Sequence, residues 1–210
     1  MTGLRLDDVR IRLNGVELLH LSETIEPGDI LTVMGPSGSG KSSLLAYVGG
    51  FLDANFEASG DVSLGGQKLT GLPAHERHTG ILFQDPLLYP HMSVGENLLF
   101  AIPAKVTGNQ RKEAALNALA QAGLEGFFDR DPATLSGGQK ARVALMRVLV
   151  SQPRALLLDE PFSKLDASRR DHIRQFVFDE AKSQNLPTLL VTHDEADAKA
   201  AGGKIIDLDG

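Results

Sequence analysis

Ile30-Leu31-Thr32-Val33-Met34-Gly35-Pro36-Ser37-Gly38-Ser39-Gly40-Lys41-Ser42-Ser43-Leu44-Leu45 is the stretch that decides the fold. It opens on a short, mostly apolar run of the kind found in strands buried on both faces, and it closes on a helix-like run that continues through Ala46-Tyr47-Val48. Between the two, Gly35 to Ser42 matches G-x-x-x-x-G-K-[ST], and strand-loop-helix is the context in which that spacing holds phosphate. Glycines let backbone N–H groups wrap an anion, and the helix N-terminus adds partial positive charge. Lys41 is then placed to neutralise phosphate oxygens and the Ser42 hydroxyl to bind Mg²⁺. Alone, the loop predicts a bound nucleotide and does not separate kinases, GTPases and transport ATPases.

Upstream of it, Val9-Arg10-Ile11-Arg12-Leu13 alternates with period two and runs into Asn14-Gly15, which predicts an opening antiparallel ribbon. Val62-Ser63-Leu64 before Gly65-Gly66 repeats that signal. Downstream, Ile81-Leu82-Phe83, Ala155-Leu156-Leu157-Leu158 and Thr188-Leu189-Leu190-Val191 resemble the strand before the phosphate loop, so a parallel core sheet is expected. A helix is expected with Leu116, Leu119, Ala120 and Leu124 on one face and Gly123 weakening its end. The 210 residues then read as one α/β domain, with residues 1–85 and 151–210 as core and residues 86–150 as an inserted helical subdomain.

Two further stretches carry chemistry. Ala155 to Leu158 ends in Asp159-Glu160, and the ends of parallel strands form the ligand crevice. Asp159 suits a Mg²⁺ role and Glu160 the base that polarises attacking water. Leu135-Ser136-Gly137-Gly138-Gln139 contains S-x-x-Q, a capping box that starts a helix through Lys140, Arg142, Val143, Leu145 and Met146. One capping residue is enough for a helix, yet two glycines follow it at a cost of about 1 kcal/mol each. That cost makes sense if the turn lies close against another molecule.

This order of motifs resembles the ATP-binding subunits of ABC transporters over nearly the whole chain. The resemblance implies a P-loop NTPase core, ATP and Mg²⁺ as ligands, and ATP hydrolysis that energises transport. It assigns the nucleotide to Gly35, Pro36, Ser37, Gly38, Ser39, Gly40, Lys41, Ser42 and Ser43, and in the opposite subunit to Ser136, Gly137, Gly138 and Gln139. Gln84 resembles the family's glutamine loop, a contact to Mg²⁺ or attacking water, beside the metal positions Ser42 and Asp159. His193 resembles the switch histidine that joins Glu160 in catalysis, and Asp166 lies in Ser163-Lys164-Leu165-Asp166, the place of the loop through which subunits sense each other. Arg130-Asp131-Pro132 and the Pro90-His91-Met92-Ser93-Val94 run resemble importer subunits. The implied partners are a second ATPase subunit in an ATP-dependent homodimer or pair and a membrane permease, with room for a substrate-binding protein. Two positions depart from the pattern: Leu13 stands where an aromatic residue stacks on adenine, and Lys164 where a small residue is common. The alternative is a soluble ABC-type ATPase acting on DNA or the ribosome, though neither heptads nor a second phosphate loop accompany the motifs.

Composition sets outer limits. Charged residues make up 23% and apolar ones 42%, as in globular proteins, and no apolar stretch approaches the roughly 18 to 20 residues of a membrane span. The net charge of -6 argues against broad nucleic-acid binding, and the absence of cysteine excludes disulfides and thiolate metal sites. Met1-Thr2-Gly3-Leu4-Arg5 lacks the pattern of a secretory signal. A cytoplasmic subunit, peripheral on the inner face of the membrane and without a C-terminal regulatory domain, is the expectation.

Overall fold

In the computed structural model, which describes residues 3–165 and 167–208 and no side chain of residues 167–169, the chain opens on strands, passes through a run of helices and ends on alternating strands and helices. The order is β1 (Leu4–Leu13), β2 (Val16–Ile25), β3 (Ile30–Met34), α1 (Lys41–Gly49), β4 (Phe56–Leu64), β5 (Gln67–Lys68), β6 (Thr79–Leu82), α2 (Val94–Ala101), α3 (Asn109–Gln121), α4 (Gly137–Val150), β7 (Ala155–Asp159), α5 (Ala167–Ser183), β8 (Thr188–Val191), α6 (Glu195–Ala201) and β9 (Lys204–Asp207). Two compact units divide these: Met1–Ile81 with Arg154–Glu160 and Phe178–Gly210, and Leu82–Pro153 with Pro161–Val177. The second unit thus takes in residues 161–177 as well as the expected helical insertion.

The first unit holds two sheets. An antiparallel sheet runs β2-β1-β4-β5, and a second sheet runs β6-β7-β8-β3-β9, with β3 parallel to β8 and β9, and β7 parallel to β8. The predicted opening ribbon is β1–β2, closed by Asn14 and Gly15 with φ of 52° and 77°, the twist two-residue hairpins require. β1 is bulged between Asp7 and Arg10, where Asp8 has φ 49° and Gly60 of β4 lies so close that a Cβ would overlap the Asp8 carbonyl. Leu4, Leu6, Val9, Ile11, Val62 and Leu64 from one sheet and Leu31, Val33, Leu157, Leu189 and Val191 from the other share a core with Leu44, Leu45 and Val48 of α1. Each buried Leu or Val side chain contributes roughly 1.5 to 3 kcal/mol, so the helix behind the phosphate loop is held by its inner face. Its far end is tied by buried Arg77, whose guanidinium donates to the carbonyls of Leu72 (2.9 Å), Tyr47 (2.6 Å) and Val48 (3.0 Å).

In the second unit α2, α3 and α4 pack on one another in pairs. The face of α3 matches the expected one in part: Leu119 is buried, as is Leu124 just beyond the helix, but Leu116 and Ala120 are exposed and Ala115 and Ala118 are buried in their place. Small alanines let the helices approach closely, and that choice overrides the larger Leu116. Gly123, with φ 66°, ends the helix as expected, its N–H bonding the Ala120 carbonyl at 2.9 Å. Fully buried Asn97 organises the loop ahead of α2, accepting from Tyr89 N and donating to the carbonyls of Tyr89, Met92 and Ser93. Among the described residues no helix is long and apolar enough to cross a membrane.

Candidate functional site

β3 ends at Met34 and the chain turns through Gly35, Gly38 and Gly40, with φ of 150°, 89° and 89°. Gly40 is the N-cap of α1 and offers no side-chain cap, so the first N–H groups of the helix face the loop rather than a neighbouring side chain. A Cβ at Gly40 would press on Leu18 and Leu19 of β2, both at 3.1 Å, which fixes the loop against the antiparallel sheet. Buried Lys41 reaches back across the loop, its ammonium donating to the carbonyls of Gly35 and Pro36 at 2.6 Å each. Pro36, Ser37 and Ser42 are exposed; Ser39, whose hydroxyl donates to the Pro36 carbonyl at 3.0 Å, and Ser43 are half-buried.

Ser42 also brings in the neighbouring strand. Its hydroxyl donates to Asp159 Oδ1, 3.0 Å away, at the end of β7. Burial pushes the Asp159 carboxyl above its usual range, with the adjacent Glu160 adding to the rise and the Ser42 bond and Lys41 opposing it. Glu160 follows in the left-handed region, φ 44°, a conformation a non-glycine residue holds only where its surroundings impose it. Its N–H is bonded to the Val191 carbonyl at 3.0 Å and its Oε1 lies 3.0 Å from His193 Nδ1. His193 is set by the turn after β8: the Thr192 hydroxyl accepts from Asp194 N at 3.0 Å and donates to buried Asp197 at 3.2 Å. The first unit therefore gathers Lys41, Ser42, Asp159, Glu160 and His193.

A cleft of about 300 Å³ opens beside this cluster, lined by Leu13, Leu18, Ser37, Gly38, Gly40, Lys41, Ser42, Ser43, Phe56 and Glu160. Phe56 was not singled out by sequence. Nothing in its own stretch marks it; only the register Leu13↔Phe56 between β1 and β4 brings it here.

The second unit carries the other group. Ser136 is the N-cap of α4, its Oγ accepting from Gln139 N at 3.3 Å while Gln139 Oε1 accepts from Ser136 N at 2.9 Å, the predicted capping box. That box serves the N–H groups of Ser136 and Gln139, leaving those of Gly137 and Gly138 without an intrahelical acceptor. Neither glycine has positive φ, and a Cβ would meet only ordinary contacts: Leu165 at 3.9 Å for Gly137 and Ile173 at 3.6 Å for Gly138. The chain's own packing does not require glycine at either place. Gln84 is exposed in this same unit, lining with Gly137, Lys140, Pro161 and Lys164 a cavity of about 110 Å³. Lys164 pairs with Asp85 at 2.6 Å, and Arg147 donates to the carbonyls of Pro86 (3.0 Å) and Leu87 (2.7 Å). The start of the loop after Gln84 is thereby tied down over residues 85–87. Asp166 lies outside the described residues.

Comparison with known proteins places these features among relatives. The family model described as ABC transporter matches residues 18–163. The chain is 50% identical over 198 residues to the uncharacterized ABC transporter ATP-binding protein YnjD of Escherichia coli (strain K12), covering 94% of this chain and 91% of that one. It is 39% identical to the thiamine import ATP-binding protein ThiQ of Aliivibrio fischeri, covering 94% and 83%. It is 42% identical to the Fe(3+) ions import ATP-binding protein FbpC 1 of Rhizobium meliloti, covering 89% of this chain but only 52% of that one. The dimeric post-hydrolysis state of the ATP-binding cassette MJ0796 bound to ADP and Pi superimposes with a TM-score of 0.78 at 31% identity, covering 97% and 93%.

Proposed function

The chain belongs to the ABC transporter family as an ATP-binding, ATP-hydrolysing subunit, and we propose that two copies close on two MgATP molecules, each held between the phosphate loop of one copy and the Ser136 turn of the other. The observation that carries this reading is the pair Gly137 and Gly138, whose N–H groups lack a helical acceptor and whose missing side chains the fold itself does not demand. Two such donors at a helix N-terminus suit a phosphate arriving from outside the chain. The Ser136 hydroxyl can join them, because capping uses only its acceptor capacity and leaves its proton to donate.

Within one copy, Lys41 exchanges its carbonyl partners for phosphate oxygens, and Glu160 orients and deprotonates the attacking water. His193, 3.0 Å from Glu160, holds that carboxylate in place and is the side chain that would contact the γ-phosphate. The hydroxyl of Ser42 and the carboxylate of Asp159, 3.0 Å apart, are the oxygen donors Mg²⁺ prefers, with Gln84 as a further ligand on closure. When bound, Mg²⁺ supplies charge neutralisation across the transferred phosphoryl group. Asp166 serves as the subunit-sensing position.

Closure drives a separate membrane permease of an importer, on whose cytosolic face the subunit docks peripherally. Import is favoured by the named functions of the thiamine and Fe(3+) relatives, and none of the named relatives is assigned to DNA or the ribosome. A substrate-binding protein and the permease, rather than this chain, choose the cargo. Detergent-solubilised membranes, passed over the tagged subunit with MgATP, should yield a co-purifying integral membrane protein. Recovery of ribosomes or DNA instead would overturn the transport reading.

A further inference from the structure

We propose that Phe56 of β4 is the platform for the nucleotide base, and that this subunit holds the purine base by apolar contact alone without telling ATP from GTP; the inference rests on the nucleotide reading above. Leu13, at the place where an aromatic residue is expected, is directly opposite Phe56 in the antiparallel β1–β4 pair, so both side chains project from the same face of the sheet. Both are half-buried, and Phe56 is packed against the core from its inner side, which fixes the ring while leaving part of it to the cleft. Leu18 lines the same cleft and lies against Gly40 of the phosphate loop, so the apolar floor begins where the phosphate cradle ends. The aromatic surface has moved one strand across the sheet rather than vanished.

The lining also decides specificity. Apart from the phosphate loop, Lys41, Ser42, Ser43 and Glu160, the cleft offers Leu13, Leu18 and Phe56, none with a hydrogen-bonding side chain. An apolar surface cannot read the exocyclic groups that distinguish adenine from guanine, whereas a site built to hydrogen-bond one base rejects the other strongly. Base stacking on an aromatic ring is sequence-tolerant and corresponds to roughly 5- to 100-fold in affinity.

The test is calorimetric titration of the full chain with MgATP, MgGTP and inorganic tripolyphosphate, on wild type, Phe56→Ala and the double variant Phe56→Leu/Leu13→Tyr. Wild type should bind ATP and GTP within about three-fold of each other. Phe56→Ala should weaken both nucleotides by about five-fold or more while tripolyphosphate stays within about two-fold, and the double variant should recover most of the loss by returning the ring to β1. Unchanged ATP affinity in Phe56→Ala overturns the inference, as does an equal loss for tripolyphosphate, which would make Phe56 a support of the phosphate loop. A wild type that prefers ATP more than ten-fold over GTP overturns the specificity claim. Failure of wild type to bind any of the three probes overturns the nucleotide reading itself, an outcome distinct from the others.

Discussion

Replacing Gly137 with alanine should make the chain more stable and the enzyme slower. The site already has helical geometry, and the added Cβ would meet nothing nearer than Leu165 Cδ2 at 3.9 Å. Alanine at a compatible helical position gains about 0.5 to 1 kcal/mol over glycine, and for a domain of this size that is a rise in Tm of roughly 1 to 4 °C. The same methyl group stands in front of the N–H groups that are to meet the partner's γ-phosphate, where donors act at about 2.7 to 3.1 Å and the loss of one costs roughly 10²- to 10³-fold in kcat. A methyl that displaces the phosphate only partly should cost at least about ten-fold, and Gly137→Leu about a hundred-fold or more. Phosphate release under saturating MgATP, alongside a melting curve, reads both effects, and nucleotide binding to the monomer should change little. Lys41→Ala weakens binding itself, so mixing it with Gly137→Leu creates heterodimers that contain one fully intact composite site. With random pairing about a quarter of all sites are intact, and phosphate release should rise toward that share. A more stable Gly137→Ala with wild-type turnover would refute the phosphate role of the glycine, and a mixture no more active than its parts would refute action in trans.

Glu160→Gln keeps shape and hydrogen bonding but removes basicity, so hydrolysis should fall roughly 10²- to 10⁴-fold while ATP binding survives; size exclusion should then show a dimer that forms only with ATP, and a persistent monomer would count against the closed pair. Arg77→Ala strips donors from three carbonyls at the end of α1 and in its neighbouring loop, which should cost about 2 to 3 kcal/mol and lower Tm by roughly 4 to 12 °C; an unchanged melting curve would show that water replaces the guanidinium freely. Asn97→Leu leaves the Tyr89 N–H and the Met92 carbonyl without their partner, while the Tyr89 and Ser93 carbonyls keep a backbone donor, at a cost of about 2 to 4 kcal/mol, and hydrogen exchange should report the loss at residue 89 and its neighbours.

The strands flanking the phosphate loop were legible because burial on both faces writes an uninterrupted apolar run: β3 and β8 begin and end at the expected residues. The capping box at Ser136 was legible because its chemistry is local, spanning only residues 136–139. What sequence did not show depends on partners far along the chain. The buried face of α3 follows from close helix packing, which favours Ala115 and Ala118 over Leu116. β9 was unmarked because half-exposed Ile205 and charged Lys204 break the apolar run of an edge strand. Lys164 gave no hint of Asp85, and Phe56 gave none of Leu13, since both pairings arise only after the loops and strands have taken their register.

The two groups of site residues also differ in how they are satisfied, and that difference bears on the proposed pairing of two copies. In the first unit each charged group has a partner within the unit: Lys41 has loop carbonyls, Asp159 has Ser42, and Glu160 has His193. Each member of such a cluster can be drawn to phosphate, cation or water by a stronger partner. The Ser136 turn is neutral and its capping box is closed within four residues, so it brings dipoles and N–H donors to a ligand without adding a net charge. Neutral donors of this kind gain most where charge builds on the γ-phosphate and water has been excluded. In the proposed pair the second set of donors arrives with the other copy. Hydrolysis by the isolated subunit should therefore rise with the square of protein concentration when dimers are rare, and a rate strictly linear in concentration across the monomer range would show that one copy is sufficient.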